Sequence, residues 1–222
     1  MNTIKTCFET ILYGNKEKSR LAARMVRKIL YKATASSDRS KYNEISSVLK
    51  SAIDTYSKIQ EEWRQENFVT AISVIYFLHG REDQPDFLFT WLLSLLQHQN
   101  GYIRHAAVKM ISFELGSLTF HIRFPSESEH SKLKPEKADI ILYSLFINLN
   151  KLTATLPIPT GKYKYIESLP ASAYKSVQMI LADLEDLAGQ EYMDCLISHK
   201  VAKNIFYTHR GVKTFYFKTI VN

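Results

Sequence analysis

The chain has 222 residues, 45% hydrophobic and 23% charged, and a formal net charge of +7. Those fractions are those of an ordinary globular protein with enough chain to bury a sizeable core, and they exclude a disordered or fibrous polypeptide. The longest apolar run, Phe87 to Leu96, is roughly half the ~20 residues a spanning helix needs, so no membrane span is expected. The two cysteines, Cys7 and Cys195, stand far apart without metal-ligand neighbours. That usage fits a reducing compartment, and with no secretory signal in the first thirty residues a cytoplasmic location is the expectation.

Lys16 to Lys32 reads as an amphipathic helix: Leu21, Ala22, Met25, Val26, Ile29 and Leu30 fall on one stripe, and Lys16, Arg20, Arg24, Arg27 and Lys28 on another. Ser36-Ser37-Asp38 breaks it, and Lys41 to Trp63 keeps apolar residues in helical register as one long helix. Glu66 to Leu78 and Pro85 to Gln97 follow, with Gly80 suited to a left-handed helix stop and Pro85 to a first turn. Asn100 is placed to cap a helix from Tyr102 to Leu115. Short polar turns between these helices predict antiparallel pairs.

After Gly116 the pattern changes. Thr119-Phe120-His121-Ile122-Arg123-Phe124 alternates and reads as β-prone, and Pro125 to Pro135 is a polar loop. Helices are expected again at Pro135–Asn150, from Pro170 to Leu187, and from Gly189 to about Ala202. Ile205 to Thr208 and Val212 to Phe217 flank His209-Arg210-Gly211, the pattern of a β-hairpin with a three-residue loop.

The charge is concentrated at the two ends. Residues 1–37 hold eight Lys/Arg against two Glu, and residues 199–222 hold five Lys/Arg and no acid, while 38–198 carry a net −4. From Lys18 to Ser37 no acid neutralises Arg20, Arg24, Arg27, Lys28 and Lys32, and their spacing keeps most of them along one side of a helix. Such a stripe suits an acidic protein surface or a row of phosphates. The tail interleaves Tyr207, Phe215, Tyr216 and Phe217 with Arg210, Lys213 and Lys218, which would allow base stacking and phosphate contacts.

No constellation for catalysis assembles. Thr160-Gly161-Lys162 lacks the upstream glycine of a phosphate loop, and no His-Glu-x-x-His occurs. His98 and His105 span a turn, and Glu82, Asp83 and Asp86 lack the alternating spacing of a calcium loop. Cys195 has His199 one turn on, but a buried thiol beside a surface histidine is the commoner arrangement. No catalytic residue, metal ligand or cofactor is expected.

One motif recurs. Asn100-Gly101-Tyr102-Ile103-Arg104-His105-Ala106-Ala107 has a weaker copy 84 residues earlier in Ser19-Arg20-Leu21-Ala22-Ala23, where an Arg again stands three residues before the second alanine. Phe68 to Ile75 repeats the apolar register without the Arg. Over about residues 10–118 this resembles the second helix of HEAT-like repeats. The resemblance implies an all-α fold, a HEAT-like α-solenoid of antiparallel helix pairs to which the tail adds a small C-terminal β-hairpin. Residues 1–118 would be the repeats, and 119–222 a helical continuation with long loops, with one continuous domain as the alternative. It also implies a non-catalytic scaffold whose concave face, with Arg20, Arg24, Arg27, Lys28 and Arg104, contacts a protein partner. Nucleic acid is the alternative partner. At that reading's extreme stands a repair enzyme similar to the HEAT-like DNA-alkylpurine glycosylases, whose aromatic and acidic cleft Trp63, Trp91, Glu61, Glu62 and Glu66 would have to supply without a Trp-Asp pairing of that family's kind.

Overall fold

The computed structural model describes residues 3–32, 39–128, 130–158, 172–199, 207–209 and 212–215, with residues 32, 39, 40 and 199 and the last two segments described by backbone alone. Ten helices appear among them: α1 (Ile4–Tyr13), α2 (Lys16–Lys32), α3 (Arg39–Lys50), α4 (Ala52–Tyr56), α5 (Glu62–Ile75), α6 (Phe89–Leu95), α7 (Gly101–Arg123), α8 (Pro135–Thr155), α9 (Ala173–Ala188) and α10 (Gln190–His199). A 3-10 turn, Tyr76–Leu78, extends α5. No described helix is long and apolar enough to cross a membrane.

Helices α2, α5, α7 and α9 pack side by side in one row. Against it lie α1, which touches α2 and α5, α6, which touches α7, and α8, which touches α7 and α9. A ring contact between Tyr56 and Trp91, 5.4 Å between centroids, ties α4 to α6. Between the rows runs one continuous core that includes Ile11, Val26, Ile72, Trp91, Leu95, Ala107, Ile111, Leu142 and Leu184. Each large aliphatic side chain buried there contributes roughly 1.5–3 kcal/mol. Met25 packs against that core half-buried.

Several boundaries differ from the sequence reading. The helix expected over Lys41–Trp63 is interrupted, because the Ser51 hydroxyl donates back to the carbonyls of Ser47 and Val48, and the chain turns after Tyr56. Trp63 therefore belongs to the first turn of α5. The expected Pro85–Gln97 helix is regular only from Phe89 to Leu95. The β-prone stretch Thr119 to Phe124 is the end of α7, with Leu115, Leu118, Thr119 and His121 buried and Phe120 outward. Residue 118, where the repeats were expected to give way to the helical continuation, lies inside α7. Gly80 and Gly189 have φ of 65° and 84°, the left-handed region in which glycine is free of Cβ strain, and each follows a helical segment.

The expected C-terminal β-hairpin is corrected: the described body is built from helices alone, and the fold class is all-α. In the tail only Tyr207–His209 (β1) and Val212–Phe215 (β2) are described, a short irregular antiparallel pairing of Tyr207 with Phe215 and His209 with Val212. Arg210 and Gly211, which were to close the turn, lie outside the described residues, so no hairpin is seen. Two strands of that length have no independent stability and add no layer.

Candidate interaction surface

Three contacts fix α2 in place. Asn15 caps it, its side-chain oxygen accepting from the Lys18 amide at 2.9 Å. The buried Ser19 hydroxyl donates to the Ile11 carbonyl at 3.0 Å and accepts from Asn67 of α5 at 3.1 Å. Ala22, Ala23 and Val26 are buried behind it, so the opposite side faces outward. Arg20, Arg24, Arg27 and Lys28 are all exposed there, together with Leu21 and Tyr31. At 100° per residue the four cations fall within an arc of about 100°, over roughly 12 Å of helix.

Compensation along this stripe is slight. Arg20 pairs with Glu17 at 2.9 Å in an exposed i,i+3 contact, the kind worth less than about 1 kcal/mol. The Arg27 guanidinium sits 5.7 Å from the centre of the exposed Tyr31 ring. Arg24 and Lys28 form no ion pair among the described residues. The result is a rigid helical edge of positive potential carrying one aromatic ring.

Arg104 is not part of it. Its side chain is 6% exposed, and Nη1 donates to the carbonyls of His98 at 2.7 Å and Gln99 at 2.6 Å, at the end of α6 and in the turn to α7. These are carbonyls that a helix end and a tight turn leave without partners. Asn100 completes the joint: its oxygen caps the amides of Tyr102 and Ile103, and its Nδ2 donates to Glu62 at 3.2 Å and Glu66 at 2.8 Å. The motif that singled out Arg104 thus works as a staple between α5, α6 and α7. Arg64 does the same elsewhere, donating to the carbonyls of Ile11, Leu12 and Gly14 at the end of α1. Its guanidinium lies 4.5 Å from the Trp63 ring and binds Glu61, whose carboxyl it holds below the usual range.

Of the tail residues expected to touch nucleic acid, Arg210 and Lys218 lie outside the described residues, as does the side chain of Lys213 in β2. Trp91 is a core residue and Trp63 is partly covered by Arg64, so the two tryptophans line no common cleft. Cys7 and Cys195 are buried; burial pushes the Cys7 thiol up, and Cys195 Sγ donates to the Glu191 carbonyl at 2.9 Å. Burial lowers His98 and His105 below the ordinary histidine value. Among the described residues no group of three His, Cys, Asp or Glu is placed to hold a metal ion.

The chain matches no protein-family profile, no curated protein and no solved structure.

Two features escaped the sequence reading. The first is a buried polar joint between the end of α5 and α7. The Arg81 amide donates to His79 Nδ1 at 2.7 Å, so the proton of the neutral ring sits on Nε2, which donates to Glu114 Oε1 at 3.0 Å. Beside it Tyr76 donates to the Pro85 carbonyl at 3.3 Å, and burial raises its hydroxyl far out of the titrating range. His79 and Glu114 occur 35 residues apart, and no local spacing announces the pair. The second is a set of exposed aromatics, Phe113 and Phe120 on α7 and Phe124 at its C-cap, whose helical spacing was masked by the apparent strand alternation after Gly116.

Proposed function

We propose that this protein is a non-catalytic scaffold that binds an acidic protein surface through the outward stripe of α2, Arg20, Arg24, Arg27 and Lys28. The observation that carries the reading is that stripe itself: four exposed cations on one rigid helix, with one acid paired to them. The Asn100–Ala107 run, with its asparagine cap and arginine staple, supports placing the helical body beside HEAT-like repeat proteins. Affinity capture with the full chain tests the site. The Arg20→Glu, Arg24→Glu variant is expected to lose partners that the wild type retains, and retention of every one refutes the placement.

Tyr31 favours one second reading, since an exposed ring beside phosphate-spaced cations also suits single-stranded nucleic acid. Four phosphate contacts on a single strand would give a log–log salt slope near −2.8, so affinity would fall on the order of 50-fold between 50 and 200 mM salt. A mobility-shift titration at those two concentrations separates the readings. Tight binding weakened at least about tenfold by Arg24→Glu establishes nucleic acid as the ligand, and no binding at low salt removes it.

A further inference from the structure

The two ends of the helical row carry opposite charge. Helix α2 closes one end, packed on α1 and α5, and α9 closes the other, flanked by α10. The outward side of α2 presents Arg20, Arg24, Arg27 and Lys28. At the far end the balance is reversed: from Ser176 to His199 the chain holds five acids and no Lys or Arg. Glu185 and Asp186 are exposed, turned away from the buried Val177, Ile180 and Leu184 of α9. Glu191 and Asp194 are exposed one turn apart at the start of α10. Glu185, Asp186 and Asp194 form no ion pair among the described residues. The fifth acid, Asp183, is turned to α7, where its carboxylate accepts from the Ser112 hydroxyl. Arg123 lies at the edge of the acidic face, donating to the Leu187 carbonyl.

The acids elsewhere have partners close by. Glu82 pairs with Lys132 at 3.2 Å, Glu61 with Arg64 at 3.1 Å, and Glu62 and Glu66 accept from Asn100. Two other sources of positive charge compare poorly with α2. Lys109 on α7 is a single exposed cation, one turn before the Ser112–Asp183 contact. The tail spreads its five Lys/Arg from Lys200 to Lys218, whereas α2 sets four between Arg20 and Lys28 on one helix face. Like ends of two copies would set cations against cations or acids against acids, and a head-to-tail contact opposes unlike charges. With a screening length of about 8 Å at physiological salt, the facing charges decide such a contact rather than the distant remainder of the +7.

We propose that the acidic surface engaged by the α2 stripe is the α9–α10 end of a second copy of this chain, so that the protein associates head to tail. The contact is heterologous, and in an open chain of copies one α2 end and one α9–α10 end stay unfilled and can accept the next copy. The inference rests on the acid-binding reading of α2 given above and names its partner.

Analytical ultracentrifugation of the full chain over a concentration series tests it. At about 0.1 M salt the average mass should rise with concentration and pass twice the monomer's. At about 1 M, where the screening length falls from about 10 to 3 Å, it should return to the monomer's. Arg24→Glu with Lys28→Glu, and separately Glu185→Lys with Asp186→Lys, should each weaken self-association at least about tenfold. All four side chains are exposed, so the far-UV circular dichroism spectrum should not change. An equal mixture of the two variants should associate as the wild type does, because each supplies the face the other has lost. Lys109→Glu should leave association within about twofold. A wild type that stays monomeric overturns the proposal, as does a mass that levels off at a dimer, which marks an isologous contact. Failure of the mixture to associate overturns it too. If the α9 variant lowers the mass and the α2 variant does not, the basic tail or Lys109 holds the acidic end, and the proposal falls. The Glu185→Lys, Asp186→Lys chain keeps the α2 stripe and should still capture the wild type's other partners. A monomeric protein that loses those partners on Arg20→Glu, Arg24→Glu therefore leaves the acid-binding reading standing without this one.

Discussion

Replacing Arg104 with alanine separates a structural arginine from a binding one. The substitution removes two charge-assisted hydrogen bonds, 2.7 and 2.6 Å long, to the His98 and Gln99 carbonyls in a site where the guanidinium is 6% exposed. A hydrogen bond to a charged group contributes about 1.5–3 kcal/mol, and carbonyls left in a buried turn add their own desolvation cost. Against this stands the cost of burying the cation, visible as the downward push of burial on the Arg104 pKa. A net loss of about 3 kcal/mol follows. With an unfolding entropy of roughly 2.1 cal/mol/K per residue, a chain of this size loses about 6–7 °C of Tm for that amount. Arg104→Lys should fall between wild type and alanine, because an ammonium keeps the charge but not the planar fork. The assay is a thermal melt followed by far-UV circular dichroism, run beside Arg24→Ala. That exposed variant should melt within about 1 °C of wild type, as surface substitutions do. An Arg104→Ala protein that melts like wild type yet loses its partner would refute the staple and return Arg104 to the binding surface.

Two further outcomes test the packing. Gly116 lies inside α7 with open space where a side chain would go, so Gly116→Ala should raise stability by about 0.5–1 kcal/mol in a denaturant titration, and any loss would mean the position is strained or crowded. Asp139 at the start of α8 is 2% exposed, and its carboxyl accepts from the Tyr192 hydroxyl of α10. Burial pushes its pKa from 3.8 up to about 6, the Tyr192 bond opposing and Glu136 assisting. A carboxyl with a raised folded pKa binds its proton more tightly in the native state. Its contribution is therefore complete below about pH 4 and lost as pH rises through about 6, on the order of 3 kcal/mol. Asp139→Asn keeps an acceptor for Tyr192 and should flatten that part of the stability–pH curve, and an unchanged slope between pH 4 and 6 would show that Asp139 is not its source.

How far the fold was legible follows from which forces act locally. The α2 helix could be read because Ala22, Val26 and Ile29 repeat at helical spacing against exposed cations, a pattern that burial against α1 and α5 preserves. The break at Ser51 could not, since apolar register continues through Ile53 and Tyr56 while the decisive contacts are two side-chain hydrogen bonds to the preceding turn. Six residues from Thr119 to Phe124 satisfy a two-residue period about as well as a helical one. The neighbours of α7 settle the choice, burying Leu115, Leu118 and Thr119 on one side, a pattern only the helix produces.

The candidate site divides along the same line. Charge is a surface property, so the run of cations in α2 announces an exposed stripe, and the structure leaves Arg20, Arg24, Arg27 and Lys28 outward. Arg104 shares the motif position of Arg20, three residues before an alanine, yet ends in the opposite environment. The difference lies outside the motif. Arg20 has Glu17 one turn earlier on its own helix and solvent beyond, whereas Arg104 follows the turn His98-Gln99, whose carbonyls point back at it. An arginine in the first turns of a helix that follows a tight connection has an internal use available to it, the satisfaction of orphan carbonyls. Arg64 is the second instance, drawn by the end of α1 across some fifty residues of sequence. Among the described residues Arg20, Arg24, Arg27 and Lys28 of α2 reach no such carbonyl, and they stay at the surface.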